Sequence, residues 1–182
     1  MRLRKHLSIG VKKAVSSIVL SVLFGAFKQL SVMDSRMKEE VASWDEGIIY
    51  CLKASKSGPT LILQKQGTSI YRLKSAPLSY HDIMIQFKNI DTAFKVLTGQ
   101  MGLAKAYSAH AFTLQGDIQK TMSFCRCADL AEGYLFPKVM SRRILKEVPK
   151  KEHFTLTVYL RILIGFLNGS CRMVPMVSNE KR

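Results

Sequence analysis

Acidic residues are scarce in this sequence: 13 Asp and Glu stand against 28 Lys and Arg, a formal net charge of +15 over 182 residues. A surplus of that size favours an acidic partner surface, whether nucleic acid, anionic lipid headgroups or an acidic protein. Tryptophan is nearly absent, with Trp44 alone, and aromatics do not interleave with the basic clusters. Base-stacking platforms are therefore missing and no nucleic-acid partner is expected. The four cysteines, Cys51, Cys125, Cys127 and Cys171, lack the spacing of a secreted disulfide framework. On a helix Cys125 and Cys127 point away from each other, and no second Cys/His pair stands nearby at ligand spacing. They read as buried thiols, and no metal is expected.

Catalytic signatures are missing as well. Gly99-Gln100-Met101-Gly102 is too short for a nucleotide-binding glycine fingerprint. No nucleophile elbow or zinc-protease helix occurs. Asp82, Asp91 and Asp117 are isolated acids at strand or helix starts, where carboxylates serve turns and caps better than acid–base catalysis. Tyr107 and His110 lie three apart and suit a polar rim. No catalytic residue, cofactor or enzymatic activity is expected, and the chain holds no internal repeat or low-complexity block.

What is present suits one domain with a substantial core, at 47% apolar and 23% charged residues. From Ala14 to Phe27 the chain carries no charge, a run shorter than the roughly 20 residues that span a bilayer. On a helix, Lys13, Ser17, Ser21 and Lys28 form one narrow polar stripe and apolar residues fill the rest. Three roles stay open for it: packing on the domain, lying on a membrane surface, or acting as a cleaved secretory signal, although no small-x-small cleavage site follows. Gly10 is expected to separate the basic tip as its own short piece. The cytoplasm, with peripheral attachment to membrane, is the expected setting.

Downstream, residues 34–46 read as a polar connector, with Met33-Asp34 as a helix stop and restart. Strands are expected around Ile48–Leu52, Thr60–Lys65 and Ser69–Leu73, joined by the turns Lys56-Ser57-Gly58-Pro59 and Gln66-Gly67-Thr68. A fourth alternating strand runs from His81 to Lys88, with Ile83, Ile85 and Phe87 on one face. Asn89 caps a helix from Ile90; Gly99 and Gly102 interrupt it before a shorter helix at Leu103–Tyr107. Phe112 and Leu114 share a face of a fifth strand. Asp117 caps a long helix, Ile118 to Tyr134, apolar on two faces: Ile118, Met122 and Cys125 on one, Phe124, Cys127 and Ala131 on the other. Pro137 ends it. A basic amphipathic helix is expected from Lys138 to Glu147. His153 to Leu167 fits either a strand or a buried helix, and the tail after Gly169 reads as frayed.

The segments Ile85-Gln86-Phe87-Lys88, Leu97-Thr98-Gly99-Gln100-Met101 and Leu114-Gln115-Gly116-Asp117, in the order strand, helix, glycine turn, small-residue helix, strand, resemble the sterol-carrier-protein family of lipid-binding domains. The resemblance covers Gly47 to Glu147. It implies an α/β (α+β) fold, a five-stranded mostly antiparallel sheet covered by helices, with extra helices at both ends. The expected division is 1–46 as an N-terminal basic and apolar segment, 47–147 as the lipid-binding domain and 148–182 as a C-terminal extension. The end Asn179-Glu180-Lys181-Arg182 lacks the peroxisomal address, which argues against a peroxisomal setting.

The resemblance further implies an apolar lipid ligand, of sterol, fatty acyl or isoprenoid type, in an internal cavity. The wall expected for it is Phe87, Phe94, Leu97, Met101, Leu103, Phe112, Leu114, Met122 and Leu135. Flexible methionines suit a cavity that accepts varied apolar guests. The alternative is a non-catalytic scaffold or accessory protein of a membrane-associated lipid or quinone biosynthetic complex. Arg2, Arg4, Lys5, Lys12 and Lys13, with Lys138, Arg142, Arg143 and Lys146, are the expected contacts to an anionic membrane surface.

Overall fold

The uncharged run near the N-terminus forms the middle of one long helix, α1, Arg2–Met33. The computed structural model describes residues 2–77, 81–137, 140–142 and 151–176, with side chains from residue 9 onward. Gly10 does not divide α1, contrary to expectation. It faces open space, and one glycine in a helix interior costs about 1 kcal/mol, which packing further along the helix outweighs. By length and composition Ile9–Met33 could cross a bilayer, yet half of that stretch is buried inside the protein. Leu20, Phe24, Ala26, Phe27 and Leu30 are fully buried in the main core, each large side chain contributing about 1.5–3 kcal/mol. The polar stripe is mostly half-buried and used: the Ser21 hydroxyl accepts from Arg72 at 2.8 Å, and Lys28 Nζ donates to the Ser170 carbonyl at 2.6 Å.

Asp34 stops α1 and caps α2 (Ser35–Ala42), its carboxylate accepting from the Arg36 and Met37 amides. The polar connector is thus mostly helix. All five expected strands form: β1 (Ile49–Lys53), β2 (Thr60–Gln66), β3 (Ser69–Leu73), β4 (Ile83–Phe87) and β5 (Phe112–Gln115). A sixth, β6 (Met173–Val174), comes from the tail expected to fray, and pairs in parallel with Arg72 and Leu73. The sheet order is β5-β4-β1-β2-β3-β6, antiparallel except at β1/β4 and β3/β6.

Register decides which face each strand buries, because side chains alternate. Tyr50, Leu52, Leu61, Leu63, Ile83, Ile85 and Phe87 face α1 and the main core. Ile49, Cys51, Ile62 and Leu73 form a smaller cluster beneath, covered by Met84, Val174 and Met176. The tail therefore closes the second face of the sheet.

Asn89 caps α3 (Ile90–Leu97), accepting from the Thr92 amide at 2.8 Å; α4 (Leu103–Ser108) follows the glycine break. Asp117 caps α5 (Ile118–Leu135) through the Lys120 amide at 3.0 Å. Only one of its two apolar faces is buried: Phe124, Cys127 and Ala131 enter the core, whereas Ile118 and Met122 are exposed. The ambiguous segment resolves as a helix, α6 (Thr155–Leu167). The expected basic helix from Lys138 lies mostly outside the described residues.

Candidate functional site

The expected ligand wall begins on β4. Phe87 pairs in register with Phe112 of β5, and their rings meet edge-on with centroids 5.5 Å apart. Ile85 is paired in the same way with Leu114. From α3, Leu97 is buried in the same core; Met101, Leu103, Phe112 and Leu135 pack against it while staying partly exposed. Phe94 and Leu114 are also partly exposed. The Tyr107 ring, itself exposed, leans on Phe112 with centroids 5.9 Å apart, and His110 beside it adopts φ 51°. Phe87 and Phe112 are thus brought together on the β4–β5 edge, while Leu97, Met101, Leu103 and Leu135 border the same main core, Leu97 buried and the other three partly exposed.

Met122 stands apart. It is exposed on α5 and, with Trp44, Tyr50, Ile118, Ser123 and Arg126, lines a half-open cleft of about 520 Å³. Polar groups along this cleft are engaged. Trp44 Nε1 donates to the Ser123 hydroxyl at 2.8 Å, which in turn donates to Glu40 at 2.6 Å. Arg126 holds both oxygens of the same carboxylate, which keeps it below the usual range despite partial burial. Tyr50 OH donates to the Lys120 carbonyl at 3.3 Å, and Lys120 pairs with Asp45.

Between the sheet and α5 the layer is filled by rings. Phe27 of α1 stacks on Phe124 at 5.3 Å, and Tyr50 on Phe124 at 5.1 Å. Helix α1 therefore occupies space above the centre of the sheet, and the Phe87–Phe112 pair lies at its β5 edge.

A polar junction that sequence reasoning missed ties α1, α2 and α5 to the start of α6. Tyr134 OH donates to Asp34 at 2.8 Å and accepts from the Glu152 amide at 2.9 Å and, more weakly, the His153 amide at 3.4 Å. Arg36 NH2 reaches the same Asp34 oxygen at 2.8 Å, Glu152 accepts from the Ser35 amide at 2.8 Å, and His153 Nε2 meets the Met33 carbonyl at 2.7 Å. Burial works to raise the pKa of Asp34, but the bonds from Arg36 and Tyr134 outweigh it and hold the carboxyl below its ordinary value. The signal in the sequence was Met33-Asp34 as a helix stop; nothing local pointed to Tyr134, one hundred residues away.

The thiols sit as expected of structural cysteines. Cys51, Cys127 and Cys171 are buried and Cys125 partly so; burial pushes Cys51 and Cys125 up to about 11, so they stay protonated. Burial, with Asp129 one turn away, pushes Glu132 up to about 8. Among the described residues no group of three or more His, Cys, Asp or Glu could hold a metal ion. Of the expected membrane contacts, Lys12 pairs with Asp91 and Lys13 donates to the Ser57 carbonyl at 3.1 Å, while Arg142 is exposed. Arg2, Arg4 and Lys5 lie on the first turns of α1; Lys138, Arg143 and Lys146 lie outside the described residues.

Neither a family model nor a curated protein matches the chain. Among solved structures it is similar to a "UbiJ-SCP2 Ubiquinone synthesis protein", at 18% identity and TM-score 0.43 over 67% of this chain and 96% of that one. It is also similar to the apo form of sterol carrier protein 2 from Yarrowia lipolytica, at 15% identity and TM-score 0.42 over 63% and 90%. A sterol carrier protein 2-like 2 from Aedes aegypti gives 13% identity and TM-score 0.32 over 54% and 96%. All three of these structures are described as SCP2 or sterol-carrier-protein structures, and the likeness is one of mixed α+β fold.

Proposed function

We propose that the chain is a non-enzymatic lipid-binding protein that holds an apolar ligand, of sterol, fatty acyl or isoprenoid type, between the sheet and the helices after Asn89. The observation that supports this reading is that Met101, Leu103, Phe112 and Leu135 stay partly exposed while packing on the core that buries Phe87 and Leu97. A guest entering there would replace water on those side chains, at roughly 25 cal/mol per Å² covered. Native mass spectrometry of the purified protein, with lipid extraction, tests the proposal. A copurifying lipid displaced by a fluorescent fatty acid is the expected result; neither lipid nor saturable uptake would overturn it. Ala106 on α4 is fully buried, so Ala106→Trp would crowd that part of the core and, with circular dichroism confirming the fold, should lower ligand uptake at least tenfold.

A second reading, a scaffold or accessory protein of a membrane-associated lipid or quinone biosynthetic complex, is favoured by α1. Its Phe24, Phe27 and Leu30 already fill the layer above the central sheet. A scaffold with no exchangeable guest would copurify with enzymes and keep its partners in the Ala106→Trp variant. In either reading the basic residues at Arg2, Arg4, Lys5 and Arg142, with those from Lys138 to Lys146, would attract the protein to anionic membrane.

A further inference from the structure

Helix α6 is apolar on two opposite sides, with Arg161 as its one charged residue. Val158, Ile162 and Gly165 form its inner side, packed on α1. The crossing is close: a Cβ added to Gly25 would lie 2.8 Å from Ile162, and one added to Gly165 would lie 3.1 Å from Gln29. With the inner side used, the fold gives no reason for an apolar outer side.

Yet Leu156, Leu160, Leu163 and Leu167 lie directly opposite, recurring four, three and four residues apart, with 51% to 76% of each exposed. Phe154, just before the helix, is 87% exposed, and Ile164 and Phe166 widen the band. At 100° per residue the band covers about half of the cylinder. A seam for one partner helix is narrower and usually carries charges on its flanks; here those flanks are Thr157, Ile164, Tyr159 and Phe166.

Charge indicates what covers it. From His153 to Met176 the chain has no acidic residue, and its Arg161 and Arg172 are exposed. Across residues 133–182 there are ten Lys and Arg against Glu147, Glu152 and Glu180. An apolar face with a cationic surround complements an anionic bilayer and opposes an acidic-poor protein like itself. Thirteen residues reach about 20 Å, too short to cross a hydrocarbon core of about 30 Å, so the helix would lie in the interface plane.

We propose that α6 is a membrane-seating helix: Phe154 and the leucine stripe sit below the headgroups of an anionic bilayer, with Arg161 and Arg172 at the phosphate level. This surface lies on a different helix from the ligand wall, and the proposal holds whether or not a lipid guest is carried.

The test is sedimentation of the full chain with vesicles of phosphatidylcholine and phosphatidylglycerol at 3:1, alongside the double variant Leu160→Gln/Leu163→Gln. Because both leucines point away from the core, circular dichroism should be unchanged. Binding that persists at 0.5 M salt and falls at least tenfold in the double variant is expected. Equal binding by the two proteins overturns the proposal. So does a dimer by light scattering that the double variant converts to monomer with vesicle binding intact, which would give the stripe to a second copy. A separate variant, Leu163→Trp, reads depth directly: quenching of the added tryptophan by brominated lipid chains supports insertion, and its absence refutes it.

Discussion

A single buried carboxylate holds the junction where α1, α2, α5 and α6 meet. The Asp34 side chain is fully buried, caps α2 and accepts from Arg36 and Tyr134. Removing it leaves the Tyr134 hydroxyl and two α2 amides without an acceptor, and Asp34→Ala should cost about 3 kcal/mol in denaturant unfolding. Its pKa is held below the ordinary 3.8, so the folded state binds the proton less readily than the unfolded chain. The stability this provides is full above pH 3.8 and is lost as pH falls through the lower folded value. The advantage of the wild type over Asp34→Asn should therefore shrink below that pH; a difference constant with pH would contradict the assignment. Tyr134→Phe removes one donor and one acceptor and should cost about 1–2 kcal/mol. A second residue-scale constraint sits at Gly116, with φ 106°, where an added Cβ would lie 2.1 Å from the Asp82 carbonyl oxygen. Backbone must move to admit it, so Gly116→Ala should destabilise by about 3 kcal/mol or more, measured by thermal unfolding.

Elements with a local cause were readable from the sequence. Asn89 and Asp117 precede apolar helical runs and cap α3 and α5; turn residues and, in β1 and β4, period-two alternation marked the main strands; and Pro137 follows the end of α5. Elements whose form depends on distant partners were not. Nothing near Gly10 announces that α1 continues through it, because the compensation lies in packing at Leu20 to Leu30. Val158 to Leu167 fits a strand or a helix until Gly165 and Ile162 meet α1, and β6 exists only because Arg72 and Leu73 offer an open edge. The strand pairing behind the Phe87–Phe112 and Ile85–Leu114 neighbours followed from local pattern, whereas the exposure of Met122 on the outer face of α5 depends on which side of that helix meets the core. Since α1 is core, truncating Phe24 or Phe27 to alanine should cost about 3–5 kcal/mol each, far more than alanine at exposed Ile18 or Val32. A peripheral, dispensable α1 would instead give similar small losses at all four sites.

At the scale of the whole molecule, two physically different forces would act toward an anionic bilayer, and they separate by salt. The net charge of +15 acts at long range and is screened within about 8 Å at physiological ionic strength. The apolar band of α6 acts only on contact and is nearly indifferent to salt. Lys12 is paired with Asp91, so its charge is partly offset, whereas Lys13 donates to the neutral Ser57 carbonyl and keeps its own. Arg2, Arg4 and Lys5 belong to the same helix end and have no acidic residue before Asp34 in sequence. Each basic residue near such a surface contributes about 1 kcal/mol, so Arg2→Gln/Arg4→Gln/Lys5→Gln should weaken low-salt binding about a hundredfold, while Lys12→Gln alone should change it little. At 0.5 M salt the triple variant and the wild type should converge, because the electrostatic contribution is then screened in both. A triple variant that keeps full affinity at low salt would remove the N-terminal cluster from the docking surface and leave the charge of residues 133–182 to supply it.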